Sequence, residues 1–388
     1  MKSLFAFALA FCLIAPGADA QPPAAAAQAQ IRAVNPSPFT RPDELVSVSW
    51  RALQARLPGL DPSRVRATVA GAEVPVQPVD ENGDGQTDVL LLLAHFGPDE
   101  AKVFTVTPEA PSAAVPRAHA VHVEGRDDLA WESDRAAWRT YGQGLWSLET
   151  LVSSGIDVWA KRVPDLVVDR WYARGPGAYH QDIGEGADFF DVGPTLGGGG
   201  TGVWHGGALH RPANFAAHRV LADGPIRAIF ELDYDTLDAA GMRVVQTKRI
   251  TIDAGQHFYR DETTLRTDDA DSLTYVVGLV EREGVVAAQR LNGPWAWLSL
   301  WGPLLRKNGG HGDLGTAVLL PAGNATRIGP ADGHHAAFAR ARSGVPVVHY
   351  VGAGWTASGD FASVESWWAY LDRLGRRLAA PLQVELLP

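Results

Sequence analysis

Between Tyr172 and Asp191 the chain gathers Tyr172, Tyr179, His180, Asp182, Glu185, Asp188 and Asp191, and the glycine run 197–200 follows directly. Histidine is the side chain whose ordinary pKa lies near neutrality, so His180 is the natural general base of this group. In that scheme Asp182 orients the imidazole, and Tyr172 or Tyr179 supplies the acid. Glu185 and Asp188, with Glu132 and Asp134 upstream, are the candidates for a hydrolytic carboxylate pair instead. The glycines would let backbone approach a ligand closely, although the Lys-Ser/Thr of a phosphate loop does not follow them. The segment has no helical or strand periodicity and is read as one side of an active site, because function concentrates in loops on a rigid scaffold.

Two neighbouring stretches supply what such a site would need around it. In 126-RDDLAWESDRAAWRTYG-142 the residues Trp131, Glu132, Asp134, Arg135, Trp138 and Arg139 mix aromatic and charged side chains. The alternative is an exposed, salt-bridged helix face carrying Asp128, Glu132 and Arg135. In 155-GIDVWAKRVPDLVVDRWYARGPGAYHQD-182, Lys161 and Arg162 could neutralise an acidic substrate. Trp131, Trp159, Trp171 and Trp204 could stack on sugar rings, with His205 beside them. The chain has 13 Trp in all, a number that core packing would explain equally well.

A separate motif, 80-DENGDGQTD-88, sets Asp80, Asn82 and Asp84 at positions 1, 3 and 5, Gly85 at 6 and Asp88 at 9. Alternating oxygen ligands about a glycine suit calcium in a structural role, although position 12 is Leu91 and not Glu. A hairpin turn without an ion is the alternative. No H-E-x-x-H or Cys/His cluster is present, so zinc is not expected. Without a dinucleotide fingerprint or a G-x-S-x-G elbow, no organic cofactor is expected either.

The elements that must position these residues read as strands. Residues 1–20 have the form of a cleaved secretory signal and hold Cys12, the single cysteine of the chain, which implies a periplasmic or secreted protein without disulfides. Residues 21–31 read as a low-complexity linker and 32–115 as a small β-domain. Residues 120–388 read as a large β-supersandwich whose one convincing helix starts at Ser363. The fold class is therefore all-β. With 34 Lys and Arg against 44 Asp and Glu, a net charge of −10 and no basic cluster, nucleic acid is a poor partner. No later segment has the roughly 20 apolar residues of a membrane helix. Oligomeric state is left open.

The strings DDLAWESDRAAWRTYG, SGIDVWAKR, YHQDIGEGADFFDVG and LGGGG, with DGPIRAIFELDY and ITIDAG, resemble a family of secreted bacterial proteins catalogued as domain of unknown function 4861. The resemblance covers most of the chain after residue 20. It implies the β-supersandwich seen in galactose mutarotase and several polysaccharide lyases, and a carbohydrate setting. It implies no reaction, because function is not inherited from a fold.

The residues favour a lyase acting on uronate glycans. β-Elimination needs a cation at the C5 carboxylate (Arg135, Lys161 or Arg162), a base for the C5 proton (His180) and an acid for the leaving oxygen. The alternatives are hydrolysis by a carboxylate pair, a mutarotase-like acid–base reaction, and sugar binding without catalysis on a tryptophan platform.

Overall fold

The computed structural model describes residues 27–175, 177–306 and 309–388. The signal segment and Cys12 lie outside the described residues. The expected linker ends earlier than residue 31, because Ala29–Val34 is already a strand with Ile31 and Ala33 buried.

The small unit consists of two antiparallel sheets. One is three-stranded, with Val89–Phe96 between Arg41–Ser49 and Val76–Val79. The other is five-stranded and contains Ala29–Val34 and Ala101–Thr107. Its outermost strand is Gln383–Leu386, from the far end of the chain, paired antiparallel to Ala29–Val34. The boundary at 120–388 is corrected accordingly: the last strand belongs to the small unit. Leu382, Val384 and Leu386 pack against that unit's core of Ile31, Leu53, Phe96 and Phe104, which gives the strand its apolar reason to return.

The large unit sets a nine-stranded sheet against two five-stranded sheets, with one apolar core shared between them. In Met242–Asp253 buried and open positions largely alternate, as expected of a sheet with one face on the core. The neighbouring strands Asp128–Ser133, Ala137–Tyr141 and Asp157–Lys161 are buried at every position. One of their faces meets the large core and the other is roofed by the segment 162–190, which adds Val167, Val168, Trp171 and Tyr179. Charged residues on that outer face are therefore dry, which decides the chemistry below.

The helix Val364–Ala379 begins at Ser363, whose hydroxyl accepts from Ser366 N while the Ser366 hydroxyl accepts from Ser363 N. That is a capping box closed by serine, not by Glu365. Trp367, Leu371 and Leu374 lie on one face and pack with Phe258, Trp297, Trp301 and Leu319 of the nine-stranded sheet.

Candidate functional site

Arg139 lies in the middle of the strand Ala137–Tyr141 and faces Asp157 directly across the sheet. Its Nε and Nη2 donate to Asp157 Oδ2 at 3.0 and 2.6 Å, and Nη2 donates to Asp188 Oδ2 at 2.9 Å. Asp128 Oδ2 lies 3.6 Å from Nη1. The rings of Tyr141, Trp159 and Tyr179 surround the guanidinium at 5.1, 5.3 and 5.5 Å. Burial works against the Arg139 charge, but the surrounding phenols and carboxylates outweigh it and hold its pKa well above the ordinary value. Burial pushes the Asp128 carboxyl up, against the pull of Arg139 and Arg126. Sequence reasoning named Arg139 only among the mixed aromatic and charged residues of 126–142, without a site role, and did not single out Asp157. The available signal was a charged residue at the centre of the strand Ala137–Tyr141 and another at the start of the strand Asp157–Lys161, each beside a tryptophan-bearing apolar run.

His180 stands at the edge of this cluster. The turn Ala178–His180 brings its Nδ1 to 3.0 Å from the Asp188 carbonyl oxygen and 3.3 Å from Asp188 Oδ2. The carboxylate that orients the imidazole is thus Asp188, held in turn by Arg139. Asp182 instead pairs with Arg162 and accepts from the amides of Gly184 and Gly186. The His180 side chain is 29% exposed, whereas Asp188 is 2% exposed, so the histidine is the part of the dyad that reaches the surface.

The two expected acids are turned inward. Tyr172 donates its hydroxyl hydrogen to Asp128 Oδ2 at 2.9 Å, and burial raises its pKa well above the ordinary phenol value. Tyr179 is buried, its hydroxyl oxygen 3.4 Å from Arg139 Nη1, and its ring stacks on Trp159. Glu185 accepts from Trp171 Nε1 at 2.9 Å and pairs with Arg170, so it anchors the roof and is no free carboxylate.

Several expected substrate contacts are structural. Glu132 and Lys161 form a fully buried pair at 2.7 Å. Glu132 also accepts from the amides of Val167 and Val168, fastening the first turn of the helix Val168–Ala173. Burial lowers the Lys161 pKa in spite of this partner. Asp134 is buried against Arg117 at 2.7 Å, and Arg135 reaches Asp43 and Asp360 at 3.9 and 3.4 Å. Trp131, Trp159 and Trp171 are core residues, so their faces cannot stack on a ligand. Trp204 leans on Phe338 under Arg327, and the exposed His205 lies on the same strand. Arg162 does remain at the surface, its guanidinium 4.9 Å from the ring of Trp355.

The glycine run serves packing, not a ligand. A Cβ on Gly197 would collide with Ile156 O, on Gly198 with Val158, on Gly199 with Val351 and on Gly200 with Leu196 O. The bare backbone lets the start of strand Gly198–His205 lie against the strands on either side.

The loop 80–88 closes on itself. Asp80 accepts from the amides of Gly83 and Gly85 at 2.7 Å, Asp84 from Gln86 at 2.8 Å, and Asp88 from Glu81 at 2.8 Å. Each of these three carboxylates thus accepts from at least one backbone amide. The loop also latches the small unit to the large one, since Glu81 pairs with Arg227 at 3.3 Å and its carbonyl accepts from Arg249.

A cleft of about 910 Å³, whose lining does not include His180, lies between the small unit and the roof. His119 in its wall bridges Asp223 and Asp169 at 2.8 and 3.2 Å. Burial opposes the charge of His119, but Asp223 and then Asp169 raise its pKa to about 9.

The architecture is an all-β supersandwich joined to a small two-sheet β-domain, with a buried Arg–Asp cluster under a histidine at its surface. The chain belongs to the family described as domain of unknown function DUF4861, whose model matches residues 34–384. An uncharacterized protein P7 of Formosa agariphila is 31% identical over 331 residues, which are 79% of this chain and 80% of that protein. Among solved structures, a glycosyl hydrolase family 38 protein from Enterococcus faecalis aligns with a TM-score of 0.51 and 10% identity over 93% of this chain and 47% of its own. An alpha-mannosidase from the same organism aligns with a TM-score of 0.47 and 8% identity, over 93% and 46%. The chain thus spans about half the length of these two structures, and at such identity the likeness is one of fold alone.

Proposed function

We propose that this protein acts on saccharides, and that His180, oriented by Asp188, removes a proton from a sugar carbon in the manner of a lyase on uronate-containing glycans. The observation that carries this is the dyad itself. A part-exposed imidazole has its Nδ1 held at 3.0–3.3 Å by a residue that is buried and anchored on Arg139. That arrangement fixes ring and tautomer as a general base requires. Arg162, next to Lys161 in the chain but at the surface, is the cation for a substrate carboxylate, which would take the place of Asp182. With Tyr172 and Tyr179 engaged inward, the leaving oxygen takes its proton from water.

The hydrolytic alternative is less favoured, because Glu132, Asp134, Glu185 and Asp188 each already serve a structural cation or amide. A stacking platform for binding without catalysis is less favoured because three of its four tryptophans are core. The likeness to a glycosyl hydrolase family 38 protein supports a saccharide setting. Secretion through residues 1–20 belongs to the same proposal.

The test is incubation of the protein with a panel of uronate oligosaccharides, following absorbance of the unsaturated uronate and reducing ends in parallel. Absorbance that disappears in His180→Ala supports elimination. Reducing ends without absorbance, or activity unchanged in His180→Ala, would overturn it.

A further inference from the structure

The turn between strands Ala118–Val123 and Asp128–Ser133 holds a second cluster of ligating groups, which the proposed reaction does not use. His122 Nε2 lies 2.8 Å from Asp127 Oδ1. The ring of His218, on the strand Phe215–Ala222, stacks on that of His122 at 3.8 Å and 21°. Among the described residues these three form the one group of His, Cys, Asp or Glu whose ligand atoms all lie within 4.8 Å of one another. His122 and His218 come from edge strands of two different sheets, so the cluster sits on the seam between the layers.

We propose that His122, Asp127 and His218 form a binding site for a divalent transition metal of the zinc class, clamping the two sheet edges and leaving a fourth position for water.

Three features support this. The donor set is two imidazoles and one carboxylate, the chemistry that suits zinc and its neighbours and not calcium. In a tetrahedron with metal–ligand bonds near 2.0–2.1 Å, ligand atoms lie roughly 3.3 Å apart, so donor atoms that lie within 4.8 Å of one another draw together by at most about 1.5 Å about an ion. Second, Asp127 is held in place from behind. Its Oδ2 accepts from Gly144 N at 2.7 Å, and its backbone takes a left-handed φ of 55°. Gly142 and Gly144 press so closely on it that a Cβ at either would collide with the carboxylate. Such support fixes the direction of a first-shell ligand. Third, a His–Asp ion pair would need one histidine. His218 is exposed and makes no hydrogen bond among the described residues, yet it is stacked on the first. The adjacent cations are already engaged: Arg126 pairs with Asp128 and Glu149, and Arg219 with Glu231.

The experiment uses tag-free, chelator-treated protein titrated with zinc by calorimetry and with cobalt by visible absorption. One ion per chain, a cobalt spectrum of low-coordinate type and a Tm that rises with zinc are expected. His218→Ala, at an exposed position, should keep the fold by circular dichroism and weaken binding at least about tenfold. His335→Ala serves as the control and should bind as the wild type does. Absence of a stoichiometric ion, or equal affinity in His218→Ala, would overturn the proposal.

Discussion

Arg139 and Asp157 face each other across adjacent strands, and two guanidinium nitrogens converge on one oxygen, Asp157 Oδ2, at 2.6 and 3.0 Å. Arg139→Met would leave Asp157 and Asp188 buried without the guanidinium that donates to both. Removing one partner of a buried ion pair costs about 3–5 kcal/mol. Urea unfolding should show that loss, and Arg139→Lys should recover only part of it, since an ammonium cannot donate in two directions with the same geometry. A loss below about 1 kcal/mol would place the cluster outside the stable core.

The Glu132–Lys161 pair should behave as a unit. Either Glu132→Gln or Lys161→Met strands the other group without solvent, at about 3–5 kcal/mol each. The double variant should lose much less than the sum of the two, as measured by a double-mutant cycle. Simple additivity would mean that the two side chains act separately.

For His180 the separation of activity from stability is the informative result. His180→Ala should abolish unsaturated product while unfolding within about 0.5 kcal/mol of the wild type, as for a surface change. Asp188→Asn should lower both, because Asp188 also holds Arg139. A large stability loss in His180→Ala would make the histidine a structural residue.

His119 predicts a pH dependence of stability. Its folded pKa of about 9 lies above the ordinary 6.5, so the folded state binds the proton more tightly than the unfolded chain. The resulting stabilisation is complete below about pH 6.5 and is lost as pH rises through 9. Its upper bound is about 3 kcal/mol, reduced by screening at the exposed Asp169. Thermal melts from pH 6 to pH 10 should therefore fall more steeply in the wild type than in His119→Gln (pH values about those of the two pKa limits). Parallel curves would refute the assignment.

Calcium at 80–88 is put to the test by thermal melts with calcium and with chelator. If an ion binds there, calcium raises the wild-type Tm by mass action and leaves Asp84→Ala unchanged. Equal melts in calcium and chelator would reduce the loop to its hydrogen-bonded latch on Arg227 and Arg249.

Much of the architecture was legible because its signals are local. Alternating β-branched runs announce strands, and Ser363 announces the helix it caps. The dense motifs between Asp127 and Gly200 carried the family resemblance. The site was legible only in residue type. His180 stood out by its chemistry, but Asp182, two positions away, looked like its partner. The partner is Asp188, because the chain from 181 to 187 loops outward and returns. Zinc-type ligation was set aside for want of a linear motif, since His122 and Asp127 lie five residues apart and His218 ninety-six from His122.

By itself the sequence determined which segments extend, where the helix starts, and that ionisable groups crowd the middle of the chain. Those properties depend on neighbours within a few residues. Only the tertiary structure decided which of those groups are dry. Once the segment 162–190 roofs three strands, Trp159 and Trp171 become core beneath it, as Trp131 does on the opposite face against the nine-stranded sheet, and Glu132 and Lys161 must pair. Arg139 must likewise collect aspartates from other strands and from the roof. Burial sets the cost of a charge, and burial is a property of surfaces that meet only after the chain has folded.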